Sequence, residues 1–505
     1  MTTPPDTADS HATAILALDA GTTGVTALLV DHSAQVVARG YSEFAQHFPD
    51  DGWVEHEPKD IWAATLAATR ACRDSAPHLT PTAVGITHQR ETAVLWDRES
   101  LGSPRRAIVW QDRRSAPICD ELRAAGHEPM VAAATGLRLD PYFTATKLAW
   151  IARNEPHVWA QVTSGRVAVG TVDSYLVARL TRGIHHLTDA SNASRTLLYD
   201  LNLGAWSPEL CELFGVPLDA LPEVVASYGV VGRTDPATFL GLDLPIAGIA
   251  GDQQAALFGQ ACFTRGSSKC TFGTGSFILV NTGETPVPSG SGLLTTVAWQ
   301  HPDGRRVFAL EGSVFVTGAA VQWLRDSLGI ISSAPEVETL ARTVDSSGGV
   351  VFVPALTGLG APDWDPAARG AIFGITRATT AAHLARATLE AIAFSVTDVV
   401  ALMASEAGVV LPRLAVDGGA AANDLLCELQ ATALQIPIDR SEQLESTGLG
   451  AAFLAGLGTG FWPDTEALSA AWRSSGVFEP GLADPAAHAR WREGVRRSLG
   501  WATDA

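Results

Sequence analysis

The chain has 505 residues, 46% of them hydrophobic and 18% charged, which supplies a large core and excludes a disordered or fibrous protein. Acids outnumber bases 54 to 35, a formal charge of -19, the wrong sign for binding nucleic acid or an anionic membrane surface and better suited to small neutral or metal-chelated partners. At roughly 150 residues per domain, two or three domains are expected.

Residues 1–12 contain no apolar run and the first Lys or Arg is Arg39, so no targeting segment is expected and the protein is placed in the cytoplasm. No stretch is expected to match the roughly 20 apolar residues of a membrane helix, the nearest being the Gly- and Ala-rich 448–461. The six cysteines (Cys72, Cys119, Cys211, Cys262, Cys270 and Cys427) form no CxxC pair and read as buried, unpaired thiols.

Taken in chain order, residues 15–31, ILALDAGTTGVTALLVD, predict a β-hairpin with a turn rich in Gly and Thr and one acid, Asp19, near its tip. Helices are predicted at 59–74, 145–153, 253–262, 383–407 and 446–457, and strands at 83–87, 246–250, 350–353 and 413–416. The hairpin pattern returns at 269–281, KCTFGTGSFILVN, with Cys270 near the strand end in place of the acid. A repeat separated by about half the chain predicts two similar α/β domains, 13–260 and 261–500.

A phosphate binder needs unobstructed backbone N–H groups and hydroxyls. Gly21, Thr22, Thr23 and Gly24 supply these at one hairpin tip, and Gly273, Thr274 and Gly275 at the other. Either turn alone is equally a tight turn. No lysine follows a G-x-x-x-x-G, so a Walker A loop is absent. In LAVDGGAAANDLL, 414–426, a strand, a double glycine and a helix beginning near Ala421 suit a nucleotide, although close helix–strand packing explains Gly418 and Gly419 equally well. Asp252 and Gln253 stand where a buried strand gives way to a helix; the acid there is either an N-cap or a general base facing a cleft. HQRET, 88–92, presents Arg90 and Glu91 at a strand end, a donor fork beside an acceptor, which suits neighbouring hydroxyls of a polyol. The aromatic segments at 109–114 and 140–143 are candidates to wall such a site.

These segments, with GWVEHEP (52–58), DPYFTATK (140–147), NASRTLL (192–198), GIAGDQQAALFGQ (248–260) and GLGAPDWDPAARGAIFG (358–374), resemble the FGGY carbohydrate kinase family over nearly the whole chain. HQRET, where sugar-kinase branches carry a GQMHG-like segment, favours the branch that phosphorylates glycerol. The resemblance implies a duplicated ribonuclease-H-like fold of the actin and hexokinase type with an interdomain cleft, ATP and Mg²⁺, and assembly as a dimer or tetramer. It implies that Arg90, Glu91, Tyr142, Asp252 and Gln253 bind glycerol, with Trp110 and Phe277 covering its carbon chain and Asp252 as general base. It further implies Asp19 with Asp252 at the metal, Thr22, Thr23, Gly24, Thr26 and Thr274 around the phosphates, and Gly318, Gln322, Gly419 and Asn423 around the rest of the nucleotide. Thr26 replaces an Arg common in the branch. The alternative within the family is a kinase for erythritol, dihydroxyacetone or another small polyol or ketose. Some members bind fructose 1,6-bisphosphate through a Gly-rich loop ending in Arg; the corresponding GRTDPATFLGLDLP lacks it.

Overall fold

The computed structural model describes residues 13–502; the N-terminal stretch read for a targeting signal lies outside the described residues. Two sheets organise the chain. The first has six strands in the order Tyr228–Arg233, Pro245–Gly251, Thr80–His88, Thr13–Ala20, Gly24–Val30 and Val36–Glu43. Its three middle strands from Pro245–Gly251 to Thr13–Ala20 run parallel, and the hairpin and its third strand run antiparallel. The second sheet has seven strands in the order Leu294–Gln300, Arg306–Val314, Ser276–Gly283, Ser268–Phe272, Leu414–Asp417, Ile438–Ser441 and Ser474–Phe478, again with three parallel strands beginning at the first strand of the hairpin.

The repeat predicted from the two hairpins is therefore a repeat of whole sheets. The parallel strands are apolar throughout because both faces are covered: Ala14 to Leu18 and Leu414 to Val416 are all buried. Register also corrects one expectation. Thr271, not Cys270, holds the position of Asp19: Asp19 lies opposite Thr26 and Thr87, and Thr271 opposite Phe277 and Asp417. Side chains alternate faces along a strand, so Cys270 points to the other side, into the core. The second sheet has moved its acid to the adjacent strand, as Asp417.

The helix after each sheet's last parallel strand crosses to the other half. Asp252–Gly259, shorter than the predicted 253–262, packs on the second sheet, and Ser446–Thr459 packs on the first sheet and against Asp252–Gly259. Ile15, Ala17, Leu28, Val30, Ala250 and Leu257 share one apolar cluster with Leu279, Trp299, Leu449 and Phe453. Two glycines permit the crossing. A Cβ at Gly450 would strike the carbonyl oxygen of Ala255, and one at Gly85 that of Ala451.

The helix Ala381–Ala407 is the one described helix long and apolar enough to cross a membrane, a better match than the 448–461 stretch singled out from the sequence, and 61% of its most apolar window is buried inside the protein. It packs against the second sheet and helix Asp424–Leu434. All six cysteines are buried and unpaired.

Candidate active site

The chemistry-bearing residues gather at the carboxyl ends of the parallel strands, where an open α/β sheet leaves a crevice. Asp19, Thr87 and Ala250 are aligned across three neighbouring strands, and Gly251 pairs with His88 one position further on. The chain then leaves the sheet at both edges of the crevice, as 89–92 and as the helix that begins with Asp252. Gln89 N–H donates to Ala20 O at 2.9 Å and Thr92 N–H to Arg90 O at 2.8 Å, which turns the chain sharply. Glu91 takes up the bend with φ of 62°, a left-handed conformation that costs a non-glycine residue of order 1 kcal/mol and collects at functional sites.

Asp252 is the first helical residue, Gly251 holds the cap position, and Asp252 Oδ1 accepts the Gln253 N–H at 2.7 Å, so the acid serves the helix start as well as the crevice. Arg90 Nε lies 3.0 Å from the same Asp252 Oδ1. Arg90 is fixed further by Glu311, with Nη1 and Nη2 at 2.5 and 3.0 Å from the two carboxylate oxygens, and by Gln254 Oε1 at 3.1 Å. Arg195 donates to Glu91 Oε1 at 2.8 Å and to Glu311 Oε1 at 3.0 Å. Two guanidinium groups and two glutamates thus alternate in a buried ring with Asp252 at its open edge. Burial opposes the charge on Glu311, yet Arg195 and Arg90 together hold its carboxyl down at about 2.

The aromatic wall is partly assembled. Tyr142 meets Trp110 edge to face at 5.6 Å, and Trp110 Nε1–H donates to Thr22 Oγ1 at 3.0 Å, tying the wall to the first hairpin tip. Lys147 is fully buried and its ammonium donates to the carbonyls of Pro141 and Tyr142, clamping the loop that carries Tyr142. Phe277 stands half-buried in the second sheet, opposite Thr271 and Ser313. Gln253 accepts a hydrogen bond from the ammonium of Lys269, which also donates to Thr271 Oγ1 at 3.0 Å. Burial pulls the Lys269 ammonium down from its ordinary value, against the attraction of Asp417, Asp252 and Glu311.

Of the two acids expected at a metal, Asp252 acts on Asp19 through its charge. Burial first, then the charges of Asp252 and Glu445, push the Asp19 carboxyl up to about 7, with His88 pulling the other way. A desolvated carboxylate that feels the charge of a second acid fits a cation, which would relieve the repulsion. Among the described residues no group of three or more His, Cys, Asp or Glu is arranged to hold a metal.

At the hairpin tips Thr22 is half-buried and Thr23 and Thr274 are exposed. Gly24 is required by its neighbours, since a Cβ there would lie 2.7 Å from Ser42 O and from the Tyr41 hydroxyl. Thr26 is 8% exposed, beside Asp19 on the next strand. Gly318 opens the helix Gly318–Asp326 directly over the second hairpin tip: its N–H donates to Gly273 O at 3.0 Å, and Gln322 is exposed on the same helix. The helix expected near Ala421 begins later. Gly419–Ala422 is a 3₁₀ turn, and Asn423 caps Asp424–Leu434 by accepting from Leu426 N–H at 2.8 Å. The double glycine divides its duties. Gly418 has φ of 86° and abuts Phe272 O, while Gly419 is exposed with nothing near its missing Cβ.

Sequence reasoning missed Arg195, Glu311, Lys269 and the clamp by Lys147. Each carried a signal: Glu311 and Lys269 are the acid and the base set among the apolar residues of their strands, Arg195 lies in NASRTLL and Lys147 ends DPYFTATK.

Two sheets that share a hairpin followed by two further parallel strands, crossed by each other's helices and with glycine-rich hairpin tips at the ends of those strands, define a two-domain kinase of the duplicated ribonuclease-H-like type. The chain belongs to the FGGY family of carbohydrate kinases: models of the family's N-terminal and C-terminal domains match residues 14–259 and 268–459. It is 51% identical to a glycerol kinase of Dechloromonas aromatica over 97% of this chain and 98% of that one, and 52% identical to a glycerol kinase of Aromatoleum aromaticum over 96% and 99%. Among solved structures it is similar to Plasmodium falciparum glycerol kinase with ADP, at a TM-score of 0.91 and 33% identity over 96% of this chain and 98% of that one.

Proposed function

We propose that the protein phosphorylates glycerol at a terminal hydroxyl, with ATP as donor, to give sn-glycerol 3-phosphate. The observation that carries this reading is the Arg90, Glu91 and Asp252 cluster beside the Trp110–Tyr142 wall: charged hydrogen-bonding groups for hydroxyls next to a ring face for a short carbon chain.

In this reading Arg90 donates to, and Glu91 accepts from, the glycerol hydroxyls, Tyr142 and Gln253 add polar contacts, and Trp110 and Phe277 cover the carbons. Asp252 takes the proton of the attacking hydroxyl as its oxygen bonds to the γ-phosphorus of ATP, while the bond from that phosphorus to the β–γ bridging oxygen breaks and ADP leaves with the electron pair. Asp19, with Asp252, holds Mg²⁺, which when bound neutralises phosphate charge. Thr22, Thr23, Gly24, Thr26 and Thr274 surround the phosphates, and Gly318, Gln322, Gly419 and Asn423 border the rest of the nucleotide. The proposal assigns glycerol and metal to an N-terminal domain over 13–260 and nucleotide to a C-terminal domain over 261–500, whose approach would exclude water. A cytoplasmic location is supported by six buried free thiols. Assembly as a dimer or tetramer belongs to the same proposal and is read by sedimentation.

The test is a coupled assay for ADP release with glycerol, dihydroxyacetone, erythritol and xylulose. Glycerol is expected to show the highest kcat/KM. A higher value for erythritol or xylulose overturns the reading.

A further inference from the structure

Glu311 lies in the strand Arg306–Val314 of the second sheet, opposite Leu279 on one side and Leu294 on the other. Its side chain is 4% exposed. A carboxylate among leucines costs several kcal/mol of desolvation, and apolar side chains replace such buried ion pairs without loss of stability in many proteins. Both guanidinium partners of Glu311 come from the other half of the molecule: Arg90 from the turn after the central strand and Arg195 from NASRTLL. The grip on Arg90 is bidentate, which fixes the plane of the guanidinium as well as its position. With both Nη atoms held by Glu311, Nε is left facing Asp252. Arg195 holds the same Glu311 oxygen and, through Nε, the Glu91 carboxylate, so one ring orients both the donor and the acceptor of the site.

We propose that Glu311 and Arg195 are positioning residues for the glycerol site, holding the guanidinium plane of Arg90 and the carboxylate of Glu91 in the orientation that receives the substrate's hydroxyls. This rests on the functional reading above. Neither residue touches the reacting atoms. Glu311 does its work from the second half, so a residue of that half governs glycerol recognition by the first.

The test is steady-state kinetics of Glu311→Gln, which keeps the shape and one acceptor but removes the charge, with folding verified by thermal melting. KM for glycerol is expected to rise about tenfold, the effect of losing one charge-assisted contact, with KM for ATP within about twofold. A purely structural role would lower activity without this split. A second arm places Glu311→Gln in an Arg90→Ala background, with glycerol binding read by calorimetry. If Glu311 acts through Arg90, the second substitution adds less than about twofold, because non-additivity marks a shared contact. An unchanged KM for glycerol, or the same tenfold loss in both backgrounds, overturns the proposal. Should Glu311→Gln not fold, Arg195→Lys, which keeps the charge but not the fork, is measured instead. A rise of about threefold or more in KM for glycerol supports the proposal and no change overturns it. The unaltered protein is the control that separates the two readings: failure to phosphorylate glycerol defeats the functional proposal, whereas normal turnover with unaffected variants defeats only this one.

Discussion

Arg90 Nε and Asp252 Oδ1 lie 3.0 Å apart, joining a buried guanidinium to a carboxylate that is 30% exposed. The exposed part of Asp252 faces the crevice and its pairing with Arg90 fixes where that face points. The residue assigned as the base is therefore oriented by the residue assigned to grip the substrate.

Asp252→Asn is expected to lower kcat about a hundredfold or more, the scale of a lost general base. The side-chain oxygen of Asn can still accept the Gln253 N–H that Asp252 Oδ1 accepts at 2.7 Å, so thermal stability should stay close to that of the unaltered protein. Retained turnover in the coupled assay would remove Asp252 from the mechanism.

The raised carboxyl of Asp19 makes ligand-free stability depend on pH. Its ordinary value of 3.8 moves up to about 7 on folding, chiefly through burial and then Asp252, so between pH 4 and 7 the folded state binds more protons than the unfolded one and stability falls as pH rises. Asp19→Asn abolishes the charge at every pH. Melting without ligands should give the variant a Tm about 2 °C above the unaltered protein at pH 8 and no gain at pH 4, where both are neutral in the fold. An equal difference at the two pH values contradicts the assignment.

Gly450→Ala tests the crossing of the helices. In an open helix the exchange gains about 1 kcal/mol in propensity. Here the new methyl would overlap the Ala255 carbonyl, and overpacking of a backbone contact costs about 1–3 kcal/mol or more. Denaturant unfolding should show net destabilisation; a more stable variant would mean that the helices separate easily.

Fructose 1,6-bisphosphate is expected to leave turnover unchanged at saturating glycerol and ATP. The cation of the stretch 230–245 is Arg233, and it is already engaged by Asp243, with Nε to Oδ1 at 2.7 Å and Nη2 to the Asp243 carbonyl at 3.0 Å. A bisphosphate would have to displace that carboxylate within a strongly acidic chain. Strong inhibition that vanishes in Arg233→Ala would show that this loop binds the sugar.

The sequence by itself determined the two hairpins, the apolar parallel strands and the long helices to within a few residues. All of these are written in local periodicity and in glycine-rich turns, which report a face or a bend without reference to the rest of the chain. HQRET placed Arg90 and Glu91 at a strand end because a strand followed by polar residues has nowhere else to put them. Only the tertiary structure decided what those residues touch. Arg90 and Glu311 are 221 positions apart, and no local pattern distinguishes a lone acid in an apolar strand that is paired across the molecule from one that is merely tolerated. The exchange of helices between the halves was equally invisible. The apolar pattern of Ser446–Thr459 specifies that it is buried, but its seat on the first sheet needs Gly85 and Gly248 and its approach to Asp252–Gly259 needs Gly450, which leave room for a backbone only after both sheets have formed. Burial is encoded residue by residue, whereas partnership depends on distances that exist only in the folded chain.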